Sequence, residues 1–101
     1  MSGVRVTVPP GHPALPGHFP GRPIVPGVLL LDAVFGAVAA AGGTVTRLVR
    51  AKFSAPVLPG TEVEVALATK AAGRVGFTCR AAGAVVLTGE IACAPPPNLP
   101  A

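Results

Sequence analysis

Alternating apolar and polar side chains open the chain. Val4, Val6 and Val8 fall on one side of an extended segment and Arg5 and Thr7 on the other, the period of a half-buried strand. Pro9 and Pro10 end that strand, and the dense prolines and glycines from there to Gly27 exclude regular helix or ladder. Leu15, Phe19, Ile24 and Val25 give this stretch apolar anchors, so an ordered loop is expected. Residues 28–41 are rich in Ala and Leu and predict a helix that stops at the Gly42-Gly43 pair. That helix is apolar on every side, so other structure is expected to surround it, as when a sheet wraps around it.

Beyond the helix the period of two returns. In residues 48–53, Val49, Ala51 and Phe53 share one face and Arg50 and Lys52 the other. After the Pro59-Gly60 turn, residues 62–67 place Val63, Val65 and Leu67 inward and Glu62 and Glu64 outward. Gly73 marks the next turn, after which Val75, Phe77 and Cys79 oppose Thr78 and Arg80. Past Gly83, Leu87, Ile91 and Cys93 face the core while Thr88 and Glu90 face out. The order predicts an α+β fold, an antiparallel sheet curled round one central apolar helix. Residues 1–94 are expected to form that single domain, and the Pro-rich residues 95–101 an extended or disordered tail.

Composition narrows the picture. Half of the 101 residues are hydrophobic, but four Phe and no Trp or Tyr leave the core to Val, Leu, Ala and Ile. Such a core is thin, and a partner subunit covering an apolar face would stabilise it. The net charge of +4 comes from scattered basic residues with no run and no aromatic platforms, which argues against nucleic acid and fits an acidic protein partner. Cys79 and Cys93 lie in strand segments without metal-ligand spacing and are expected to be buried free thiols. The start MSGVRV has no apolar signal region. Residues 28–41 fall short of the roughly 20 residues that a membrane span needs, and they contain Asp32, so a cytoplasmic protein with no membrane contact is expected.

The segment that carries chemistry runs Gly17-His18-Phe19-Pro20-Gly21-Arg22-Pro23-Ile24-Val25-Pro26-Gly27-Val28-Leu29-Leu30-Leu31-Asp32-Ala33. It resembles the active-site signature of the 3-hydroxyacyl-acyl-carrier-protein dehydratases of bacterial fatty-acid synthesis. That signature is His-Phe-Pro-Gly, one variable residue, Pro, two variable residues, Pro-Gly, then a helix with Glu or Asp fourteen residues after the His, and each element stands here at its offset. Ala51-Lys52-Phe53-Ser54-Ala55-Pro56-Val57-Leu58-Pro59-Gly60 is similar to the later strand and turn of the same family. The resemblance implies a hotdog fold and a homodimer or heterodimer of hotdog subunits. It further implies a substrate carried on the phosphopantetheine of acyl carrier protein, and no metal or other cofactor.

Dehydrating a 3-hydroxyacyl thioester removes a weakly acidic proton from C2 and expels hydroxide from C3, so it needs a base and an acid. Histidine titrates near neutrality and suits the base, while a carboxyl group in apolar surroundings stays protonated more readily and suits the acid. No Lys or Arg lies between residues 28 and 41 to pair with Asp32. The backbone N–H groups that open the helix at Pro26-Gly27-Val28 lack internal partners and sit at the positive end of the helix dipole, where they can hold a thioester oxygen. His18 and Asp32 are therefore the candidate catalytic pair, with Gly27, Phe19, Pro26 and Val28 as candidate substrate contacts. The resemblance implies that the pair meets across a dimer.

Plainer readings sit beside these. His12 belongs to no pattern and reads as a solvated or structural histidine. Arg22, Arg47, Arg50 and Lys52 read first as solvated charges and second as contacts for a carrier protein or its phosphate. Leu31, Phe35 and Val38 read as core. Two rival functions stay open. One is a thioesterase of the same fold, which gives no role to His-Phe-Pro-Gly; the other is a shortened, half-site or non-catalytic subunit of a hotdog hetero-oligomer.

Overall fold

The computed structural model describes residues 2–10 and 24–99. Its elements are β1 (Ser2–Thr7), α1 (Gly27–Ala40), β2 (Val45–Phe53), β3 (Glu62–Ala71), β4 (Arg74–Ala81) and β5 (Ala84–Cys93). The strands form one antiparallel sheet in the order β1-β3-β4-β5-β2, so β1 and β2 are its edges. This is the α+β sheet-and-helix architecture that the patterning predicts.

The period of two is what gives the sheet one apolar face. Val4, Val65, Cys79, Leu87 and Phe53 stand in register across all five strands, and a neighbouring row joins Leu67, Phe77, Gly89 and Ala51. Two-residue turns at Ala72-Gly73 and Ala82-Gly83 link β3, β4 and β5, and both residues of the second turn take positive φ, 51° and 79°. The helix buries Leu30, Val34, Ala37 and Val38 against this face. Phe77, Leu87, Ile91 and Val65 complete the interior, each stabilising the fold by about 1.5–3 kcal/mol relative to exposure. Cys79 and Cys93 are buried free thiols, and burial pushes Cys79 up to about 11.

Three findings depart from the expectations. First, sheet covers only one side of α1, and Val28, Asp32, Gly36, Ala39 and Ala40 are exposed within the protomer. Among the described residues, the apolar helix is therefore only half enclosed. Second, β2 carries two irregularities, between Val45 and Arg47 and between Leu48 and Arg50. These pair Leu48 with Ile91 and leave Val49 at the second irregularity, where Val49 is partly buried and Leu48 is exposed. Third, residues 94–99 of the Pro-rich tail pack back on the helix end. Asn98 N–H donates to Ala41 O at 2.8 Å, Thr44 N–H donates to Pro95 O at 3.0 Å, and Ala94-Pro95 is a cis peptide. The helix stop at Gly42-Gly43 takes the expected form. Gly42 adopts φ 86°, Gly43 N–H donates to Val38 O at 2.9 Å and Gly42 N–H to Ala39 O at 3.0 Å.

On the outer face Glu90 is the acceptor for Arg50 at 3.0 Å and Arg74 at 2.5 Å, tying β2, β5 and β4 together. The Arg74 hydrogen bond, aided by that of Arg50, holds the Glu90 carboxyl below its ordinary range against the opposing effect of desolvation. A depressed carboxylate contributes stability above its unfolded value and loses it as pH falls through the folded one. Glu90→Gln should therefore lower the melting temperature at pH 7, with the gap from wild type closing as the pH is taken below the ordinary value of 4.5. Melts from pH 7 to pH 3 check this, and a gap independent of pH would refute it. A side chain at Gly89 would collide with the Phe77 ring and the Arg50 carbonyl. Gly89→Ala should accordingly destabilise by about 1–3 kcal/mol in denaturant unfolding.

Candidate active site

The site is built where two loops meet. Residues 24–26 run extended into the helix, and Val25 N–H donates to Val57 O at 2.8 Å, pinning them to the loop after β2. Val25, Pro26 and Val57 are buried at this junction. Pro26 is the residue before the first helical turn, at φ −57°, and no side chain caps the helix start. The end of β2 is held in turn by Ser54 N–H donating to Val86 O at 2.9 Å. The helix N-terminus thus opens at a fixed place against the β2 terminus.

Between these segments lies a groove of about 510 Å³, whose walls include Val25, Gly27, Leu30, Phe53, Pro56 and Val57. Its lining is mainly apolar, and the helix start brings backbone N–H groups to it. Gly27 is required here by close approach: a Cβ would lie 2.7 Å and 2.8 Å from Cε1 and Cζ of Phe53. The helix dipole places partial positive charge at this end, and no acidic side chain in the first turn offsets it.

The predicted site residues fall into three groups. Pro26 and Gly27 stand at the groove, Pro26 buried and Gly27 lining it. Val28 is 61% exposed, and Asp32 lies one turn further along the same exposed stripe, outside the groove walls. His18 and Phe19, together with His12 and Arg22, lie outside the described residues. Among the described residues nothing supplies the apolar enclosure expected for Asp32, because the sheet lies on the other side of the helix. Arg47, Arg50 and Lys52 are exposed, with Arg50 engaged by Glu90. Among the described residues no cluster of His, Cys, Asp and Glu is arranged to hold a metal ion, and no helix is long and apolar enough to cross a membrane.

Phe53 and the Ser54–Val57 turn are groove walls, although along the chain they have the pattern of ordinary strand and loop. The signal was present in the Lys-Phe and Pro-Val-Leu-Pro-Gly stretch, but nothing local says that it meets Gly27, twenty-six positions earlier in the chain.

Comparison with known families decides the lineage: residues 2–90 match the model of the ApeI-like family, described as ApeI dehydratase. The chain belongs to the ApeI-like dehydratase family. It is also 38% identical over 95 residues to the 3-hydroxyacyl-[acyl-carrier-protein] dehydratase FabZ of Haemophilus influenzae, covering 81% of this chain and 62% of that protein. The FabZ of Bartonella quintana is 39% identical over 96 residues, with 80% and 62% covered. The chain thus spans about three fifths of the length of these curated relatives. Among solved structures, an uncharacterized protein from Erwinia carotovora subsp. atroseptica superposes with a TM-score of 0.73 at 28% identity, over 90% of this chain and 80% of the other. The ApeI:P dehydratase heterocomplex from Xenorhabdus doucetiae gives 0.74 at 23% identity, over 90% and 84%, a likeness of fold. The ApeI-like match covers α1 and both walls of the groove.

The Gly27–Phe53 contact can be measured directly. A Cβ there would push the Phe53 ring off Gly27, so Gly27→Ala should cost about 1–3 kcal/mol. In the Phe53→Ala background that cost should vanish. A double-mutant cycle of unfolding free energies checks this, and additive effects would show that the two residues do not touch.

Proposed function

We propose that the chain dehydrates a 3-hydroxyacyl thioester, borne on the phosphopantetheine of acyl carrier protein, to the trans-2-enoyl thioester in fatty-acid or polyketide/polyene-type synthesis. The observation that carries this reading is the uncapped helix start at Gly27 opening on an apolar groove, with Asp32 five residues further along the same helix. Five residues of α-helix rise about 7.5 Å, a span that a thioester oxygen at one end and a 3-hydroxyl at the other can bridge with one hydrogen bond each. Family membership and the His-Phe-Pro-Gly motif support the same chemistry.

In this mechanism the N–H groups at Gly27 and Val28 polarise the thioester carbonyl and stabilise negative charge as C2 loses its proton. The His18 imidazole takes that proton, the C2–H electron pair becomes the C2=C3 bond, and the C3–O bond breaks. The Asp32 carboxyl delivers a proton to the departing hydroxyl, directly or through a water, and water leaves. Atoms and electrons balance without a redox cofactor or a metal. Phe19, Pro26 and Val28 enclose the reacting carbons.

The site is completed by a second hotdog subunit. Asp32 and Val28 face outward on a helix that its own sheet covers on one side, and the helix start meets the edge strand β2 at Phe53, with Leu48 40% and Phe53 50% exposed. A partner seated there would supply the apolar enclosure of Asp32 and bring its own His18 to it. A homodimer is the simplest partner, and a different hotdog subunit is the alternative. The exposed Arg47 and Lys52 on the outer side of β2 suit the acidic surface of a carrier protein. Two buried free thiols suit a reducing cytoplasm.

His18→Ala and Asp32→Asn should each lower kcat by about 10²–10⁴-fold while the protein still folds. Mixing the two variants after unfolding and refolding together should restore about a quarter of wild-type activity, because half the dimers are mixed and each holds one intact site. Release of water from a 3-hydroxyacyl pantetheine thioester, followed by mass spectrometry, is the assay. Release of free thiol instead would favour a thioesterase. Dimeric variants that fail to complement would rule out a site shared between two copies of this chain.

A further inference from the structure

From the Gly27–Phe53 contact we infer that Phe53 is a specificity-determining residue that restricts the site to thioesters unbranched at C2. This rests on the dehydration reading, since it takes the thioester oxygen to sit on the helix-start N–H groups.

The ring of Phe53 lies against Gly27 with Cε1 and Cζ 2.7 Å and 2.8 Å from where a Cβ would stand. That places the ring within about 4 Å of the Gly27 Cα, given a bond of about 1.5 Å to the missing carbon. A carbonyl oxygen accepting from Gly27 N–H lies about 2.9 Å from that nitrogen. C2 is two bonds from the oxygen, so C2 and any substituent on it share the space that the ring borders. The wall is firm on its other sides. Ser54 N–H is tied to Val86 O, and Val25 N–H to Val57 O, which fixes the strand end behind the ring and the segment in front of it. An unbranched C2 presents only hydrogens to the ring, whereas a methyl group there must displace it. Phe53 also suits this role by its exposure of 50%: it adds little to the buried core and much to the groove lining.

The test compares kcat/KM for 3-hydroxybutyryl pantetheine and for both C2 epimers of 2-methyl-3-hydroxybutyryl pantetheine in wild type, Phe53→Leu and Phe53→Ala. Wild type should favour the unbranched substrate by ten-fold or more, the range in which one methyl group is discriminated by an apolar pocket, about 10–200-fold. Phe53→Ala should shrink that ratio at least ten-fold and Phe53→Leu by an intermediate amount. A loss of general packing would lower both rates together and leave the ratio alone. Circular dichroism confirms that each variant folds, and Phe53→Leu carries the comparison if the alanine variant does not. A wild type that accepts the branched substrate equally, or a ratio unmoved in an active variant, overturns the role of Phe53 while the dehydration reading stands. A wild type that dehydrates neither substrate overturns both.

Discussion

A single backbone hydrogen bond, Val25 N–H to Val57 O, sets where the helix begins, and the rest of the site follows from that position. The bond joins a proline-bounded extended segment to the turn after β2, and the buried side chains of Val25, Pro26 and Val57 shield it from water. A buried polar pair of this kind is costly to break, because neither group finds a substitute partner inside the fold. With the start of α1 fixed there, Gly27 meets Phe53, and both line the groove at which the helix begins. Moving the helix by one residue would turn it by about 100° and carry Leu30 and Val34 out of the core.

Stability and function divide the helix between them. Leu30, Val34, Ala37 and Val38 hold it on the sheet, and the opposite stripe of Val28, Asp32 and Gly36 is left outward. An amphipathic helix would have made that stripe polar and ended the matter. Here the outward stripe is almost as apolar as the inward one, with one carboxylic acid in it. A second subunit on this face answers two needs together, removing apolar surface from water and enclosing Asp32 for acid chemistry. The sheet shows the same asymmetry in charge. Within the sheet, Arg5, Lys70 and Arg80 share the β1 side with Glu62 and Glu64, whereas Arg47, Arg50, Lys52 and Arg74 have Glu90 as acidic neighbour towards the β2 side. The excess positive charge therefore lies by the edge that borders the groove.

The inward faces of β3, β4 and β5 were legible in the sequence, because strict alternation admits only one assignment of Val63, Val65, Phe77, Cys79, Leu87 and Ile91. So was the helix stop, because only glycine takes the left-handed conformation at Gly42 without strain. On β2 alternation holds from Arg50 to Phe53 and breaks before it, where each bulge adds a residue and shifts the side-chain phase. It also failed to foresee the tail strap, whose hydrogen bonds to Ala41 and Thr44 depend on where the helix end lies.

By itself, the sequence determined the element order, the apolar face of the sheet and the motif that names His18, Gly27 and Asp32, since these depend on residue type and on spacing along one chain. Only the tertiary structure decided that Phe53 walls the groove at Gly27 and that Asp32 faces outward. Contacts between residues distant in the chain depend on register, bulges and the seating of the helix, and sequence spacing does not encode which side of an all-apolar helix the sheet will cover.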